Sequence, residues 1–114
     1  MPKNLLALPA LMGALIAMAP TPAAHASDAV QHLTLANHAF SPKEFTIPAD
    51  TKVKILIKNE NGQAAEFESF ELHREKVIPD GEEVAVFVGP LKPGVYPFFD
   101  DLDVNKATGK ITVK

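Results

Sequence analysis

From Val30 to the C-terminus, apolar side chains recur at alternate positions in short runs, and turn residues interrupt the runs. Leu33 and Leu35 form one such pair, and Phe45 and Ile47 another. Val53, Ile55 and Ile57 alternate with Lys52, Lys54 and Lys58, which predicts a strand with an apolar face inward and a lysine face outward. Val84, Val86 and Val88 predict a further strand, and Val95–Phe99 and Lys110–Val113 two more. Asn37-His38, Ser41-Pro42, Asn59-Glu60-Asn61-Gly62, Pro79-Asp80-Gly81 and Pro93-Gly94 punctuate the runs as bends and turns. Short strands at this spacing predict an all-β sandwich of about seven or eight strands.

One stretch does not commit itself. Glu66–Lys76 is rich in Glu, Leu, Arg and Lys, which are good helix formers, and could turn helical. As a strand it puts Glu66, Glu68 and Phe70 on one face and Phe67, Ser69 and Glu71 on the other. Lys52, Lys54 and Lys58, with the prolines at 42, 48, 79, 90 and 93, read as protection for the edges of small sheets.

The N-terminal segment has a different character. Lys3 precedes an apolar run from Leu5 to Met18, and Ala24-His25-Ala26 forms a small-residue cleavage signal before Ser27. Pro9 and Pro20 break the run, which is short for a membrane span. We therefore expect residues 1–26 to be a cleaved signal peptide and residues 27–114 to be one exported domain, with the periplasm as its location and no stable membrane insertion after cleavage. That domain would hold ten basic and fourteen acidic residues, a net charge of −4. The balance argues against nucleic acid or anionic lipid as a partner and leaves cations or a basic protein face.

Composition narrows the chemistry further. There is no cysteine, so disulfides, thiolate metal sites and cysteine catalysis are closed. Met1, Met12 and Met18 all lie in the leader, which removes thioether ligands as well. His32, His38 and His73 show no ligand spacing, and only His38, at a bend, reads as a peripheral ligand. No catalytic motif is present, so no catalytic residue is assigned. What remains is carboxylate. Glu66 and Glu68 share a strand face, and Asp100, Asp101 and Asp103 crowd the loop before the last strand. Carboxylates this close repel one another unless solvent, a basic group or a cation balances them. Arg74 and Lys76 could neutralise the first pair as a solvated salt-bridge face.

Four segments carry a family resemblance: FSPKEFTIPAD at 40–50, KNENGQAAEFESFELHREKVIP at 58–79, VFVGPLKPGVYPFF at 86–99 and TGKITV at 108–113. Together they resemble the cupredoxin-like domains of the EfeO type, and among them the small FtrB-like components of bacterial ferrous-iron uptake. The resemblance implies a Greek-key β-sandwich. It also places Asp100 where a blue-copper protein has its cysteine, Asp103 at the loop histidine, Lys106 or Ala107 near the methionine, and Glu66 or Glu68 near the other histidine. Without a thiolate, blue copper is excluded. The resemblance implies instead a carboxylate-rich site for iron or another hard divalent or trivalent cation, with Glu66, Glu68, Asp100 and Asp103 as ligands. Asp101 and Glu71 would be auxiliary, and Arg74, Glu75 and Lys76 a salt-bridge group or docking surface.

The implied role is a periplasmic accessory protein that binds iron, or helps to oxidise or transfer it, alongside other components of an uptake system. Ferroxidase-like activity would need a redox partner, and the chain alone is not expected to be an enzyme. The alternative role is a metal-free docking module of an uptake or redox complex. Carboxylate ligation implies affinity that falls towards pH ~4, whereas loss at pH ~6–7 would point to His38 or His73.

Overall fold

The computed structural model describes residues 29–114, so the expected leader lies outside the described residues. The described residues form nine strands: β1 (Ala29–Ala36), β2 (Ala39–Ser41), β3 (Glu44–Ile47), β4 (Val53–Asn59), β5 (Ala65–Ser69), β6 (Arg74–Ile78), β7 (Glu83–Val88), β8 (Gly94–Asp100) and β9 (Thr108–Val113). They form a four-stranded sheet, β2-β1-β4-β7, and a five-stranded sheet, β3-β9-β8-β5-β6. β1 pairs with β4 and β3 with β9 in parallel, and the other pairings are antiparallel. The sandwich expected from the alternation is thus present, with Ala39–Ser41, read as part of a bend, adding a short strand.

The structure settles one open reading and corrects another. Glu66–Lys76, open between helix and strand, is not a helix but a β-hairpin: β5 and β6 flank a turn at Phe70–His73. Ser69 fixes that turn, because its Oγ donates to Pro97 O at 2.7 Å and accepts from Leu72 N at 3.2 Å. Ala65, Phe67 and Ser69 all face the core, and burying that period-2 face outweighs helix propensity. The lysines of β4 do not guard an edge either. β4 lies inside its sheet between β1 and β7, so Lys54 and Lys58 cover an outer face.

The core packs Leu33, Leu35, Val53, Ile55, Ile57, Val86 and Val88 of one sheet against Ile47, Ala65, Phe67, Phe98, Ile111 and Val113 of the other. Phe98 is its centre. Its ring lies edge-on to Phe40 at 5.0 Å and stacked on Phe67 at 5.2 Å, with Phe45 at 6.1 Å. Such pairs add to the burial term. Gly109 on β9 is what lets this ring fit: a Cβ there would stand 2.3 Å from Phe98 Cζ and 2.6 Å from Lys43 O. Buried Asn59 closes the opposite sheet's end of the sandwich. Its Nδ2 donates to Gln63 O at 2.8 Å and Ile78 O at 2.9 Å, and its Oδ1 accepts from Asn61 N at 2.9 Å.

Gly109→Ala should therefore lower stability by about 1–3 kcal/mol through overpacking against Phe98. Gly94→Ala, whose Cβ would meet Tyr96 at an ordinary 3.6 Å, should change it by less than about 0.5 kcal/mol. Urea melts of the two variants check this, and equal losses would contradict the packing role given to Gly109.

Candidate functional site

Alternation along β5 and β8 decides which side chains meet. On β5, Phe67 points inward and Glu66 and Glu68 outward. β8 lies beside it in a register that pairs Phe67 with Asp100 and Glu68 with Phe99. One residue further on, Asp101 N donates to Glu66 O at 3.0 Å, which brings Asp101 alongside Glu66 on the outer face. Glu66, Glu68 and Asp101 each offer a carboxylate oxygen, and these oxygens lie within 4.8 Å of one another. From the other side, β6 sets Glu75 opposite Glu68.

The electrostatics of this cluster are unfavourable as they stand. Glu66 is pushed up from 4.5 to about 7, first by a hydrogen bond shared with Glu75, then by burial and by the charges of Glu75, Asp101 and Glu68. Glu68 is also raised, chiefly by burial and then by the charges of Asp101 and Glu75. One of the expected neutralising partners, Arg74, is engaged elsewhere. Arg74 Nε donates to Phe87 O at 2.8 Å and its NH1 to His73 O at 3.1 Å, tying the edges of the two sheets together. Among the described residues the ion pairs are His38–Asp103 and Lys110–Glu44, and neither touches the cluster. Three or four carboxylates without a cation partner suit a hard, oxygen-seeking ion.

Asp100 and Asp103 do not join Glu66 and Glu68. Asp100, the last residue of β8, pairs with inward-facing Phe67 and so faces the core side of the sheet, where it is fully buried, while Asp101 begins the turn beyond it. Its Oδ1 accepts from Glu66 N at 2.9 Å and Leu102 N at 3.1 Å, and its Oδ2 has no partner among the described residues. Asp103 is buried in the β8–β9 loop. Its Oδ2 lies 2.6 Å from His38 Nδ1 and its Oδ1 accepts from Asn105 N at 2.9 Å. The Asn105 N–H and His38 hold its pKa below the usual carboxylate range. His38, read as a peripheral ligand, thus anchors the β1–β2 turn to this loop, and its own N donates to Asn61 Oδ1 at 2.8 Å.

Glu71 is exposed in the β5–β6 turn. The reading from sequence gave Asp101 an auxiliary place and Glu75 a docking place, whereas the structure sets both carboxylates beside Glu66 and Glu68. The signal that would have found Glu75 is the hairpin register, which follows once Phe70–His73 is read as a turn.

Comparison with known proteins places this geometry. An uncharacterized protein of Rickettsia prowazekii is 38% identical over 81 residues, which are 71% of this chain and 65% of that protein. The chain thus spans less than two thirds of that relative's length. Among solved structures, an auracyanin from Roseiflexus castenholzii matches with a TM-score of 0.64 at 16% identity, covering 77% of this chain and 98% of the auracyanin. The metal-binding domain of the Streptococcus pneumoniae Cu(I)-exporting ATPase, solved with Cu(I), matches at 0.63 and 16% identity, covering 75% of this chain and 84% of that domain. At such identity these two share the fold alone. The residues here do not fit a blue-copper centre, because the chain has no cysteine and residues 29–114 contain no methionine. The cupredoxin-like domain family matches residues 9–113, nearly the whole chain, and with this sandwich and these neighbours the chain belongs to that family.

Proposed function

We propose that this chain captures a hard cation, iron foremost, on Glu66, Glu68 and Asp101, and serves as a periplasmic accessory component of bacterial iron uptake of the EfeO type. One observation carries the reading. Three carboxylate oxygens converge within 4.8 Å, no cationic side chain neutralises them among the described residues, and Glu66 is raised to about 7. The segments that resemble the iron-uptake domains, and the expected leader at 1–26, supply the biological setting.

The chain's own residues would act through a proton. Without a cation, Glu66 shares a hydrogen bond with Glu75 near neutral pH and carries the proton that relieves the cluster's repulsion. An arriving cation displaces that proton, because a carboxylate ligand must be ionised. Reprotonation favours release to the next component. Oxygen ligands stabilise Fe(III) over Fe(II), and a change of oxidation state needs an electron acceptor from a partner. A further component would therefore share any ferroxidase-like step.

Glu66 also alters the meaning of a pH profile. A fall in affinity near pH 7 no longer points to His38 or His73, because Glu66 titrates there. In the cation-free protein the folded pKa of Glu66 lies above the ordinary 4.5, so its contribution to stability is present below that value and is lost as pH rises to about 7. Carbon-detected NMR should find the Glu66 carboxyl titrating near 7, and Glu75→Gln should move it down towards the ordinary range. A Glu66 that titrates near 4.5 in the wild type would contradict the shared hydrogen bond.

Calorimetric titration with ferrous, ferric, manganous and cupric ions tests the site itself. The wild type should bind hard ions with release of a proton at pH ~6.5. Glu66→Gln/Glu68→Gln should weaken binding by about tenfold or more, since oxygen sites respond to ligand charge count. Asp103→Asn should leave binding unchanged. Binding lost in Asp103→Asn and kept in the glutamate variant would move the site to the β8–β9 loop.

A further inference from the structure

The outer face that carries the carboxylates also carries aromatic surface. Phe70, at the start of the β5–β6 turn, is 67% exposed, and its ring lies 5.5 Å from that of Phe99. Val77 on β6 is 53% exposed. An open groove of about 410 Å³ runs beside Phe70, with Glu68, His73, Arg74 and Glu75 on its walls, the Arg74 guanidinium being held by the Phe87 and His73 carbonyls. An exposed ring backed by the half-buried ring of Phe99, beside exposed Val77 and rimmed by charge, marks a surface for a partner rather than scattered apolar residues.

The rest of the chain shows what such rings attract. Phe87, on the other sheet, has Lys52 Nζ at 5.4 Å and Lys54 Nζ at 5.9 Å from its ring centre. Phe99 has Lys106 Nζ at 5.9 Å. Phe70 is the most exposed of these rings, and no cation lies over it among the described residues. It stands beside Glu68 and Glu75, which have no ion-pair partner there either. A guanidinium satisfies both needs at once, stacking on a ring while its N–H fork reaches carboxylates. A second copy meeting this face through two-fold symmetry would set Glu68 and Glu75 against themselves, so the occupant must carry the opposite charge.

We propose that Phe70, Phe99, Glu68 and Glu75 form a docking face for a basic protein partner, with an arginine of that partner stacked on Phe70 and held by the two glutamates. The face stands independently of the cation site, although Glu68 contributes to both. A partner seated there would lie against the cluster at which a cation is captured.

The test uses the full chain and two synthetic peptides, one alternating arginine and leucine and the other alternating glutamate and leucine, followed by backbone amide NMR. The arginine peptide should shift the amides of Phe70, His73 and Glu75, bind more weakly as salt rises, and lose about fivefold in affinity in Phe70→Ala. Phe70→Ala is exposed and outside the carboxylate cluster, so calorimetric cation binding should persist in it. Equal binding of the glutamate peptide overturns the proposal. So do shifts confined to the Lys52–Phe87 face, or unchanged affinity in Phe70→Ala. Self-association of the chain through the Phe70 face, seen by sedimentation, makes the occupant a second copy and overturns the basic partner. If the wild type binds the peptide but no cation, the cation site fails and the docking face stands; the reverse result overturns the docking face alone.

Discussion

A buried carboxylate holds this end of the sandwich together. Asp100 is fully enclosed, and its Oδ1 takes the N–H groups of Glu66 and Leu102, joining β5 to the loop that leaves β8. Both donors are backbone groups that burial would otherwise orphan, and this one oxygen satisfies them. The bonds set the spacing of β5 and β8 where Glu66 and Asp101 emerge on the opposite side. Asp100 is therefore a positioning residue: it fixes from inside the sheet a cluster to which it contributes no ligand.

The two faces of the five-stranded sheet divide the work. Inside, Phe98 packs against three other aromatic rings and needs the bare backbone of Gly109. Outside, Glu66, Glu68, Glu75 and Asp101 crowd together, and the hydrogen bond with Glu75, burial and the neighbouring charges push Glu66 up to about 7. Such a cluster is costly to keep for stability alone, since carboxylates that repel one another weaken the fold. Arg74 sharpens the point. The one guanidinium in this hairpin turns away from the glutamates to bridge the sheets through Phe87 O. Among the described residues, the outer face thus keeps carboxylates without an ion-pair partner and an exposed ring.

Much of the fold was legible in the alternation itself. Val53-Ile55-Ile57 and Val84-Val86-Val88 turn one side to the core, with only Val84 half-buried, because a strand has period two, and no tertiary information is needed to see it. The hairpin at Glu66–Lys76 was not legible, because its composition favours a helix and only the ladder to β8 settles the matter. The position of β4 inside its sheet was equally hidden, since strand order depends on long-range pairing.

By itself, then, the sequence determined the class of fold, the exclusion of thiolate and thioether chemistry, and the carboxylate character of any site, because each follows from residue type and local period. Tertiary structure alone decided which carboxylates meet. Asp100 and Asp101 are neighbours in the chain, yet the pleat sends one into the core and the other to Glu66 and Glu68. Asp103 is drawn to His38, some sixty-five residues away, and Glu75 to Glu66 across a turn. Register and loop closure set those distances, and neither is written in composition or spacing.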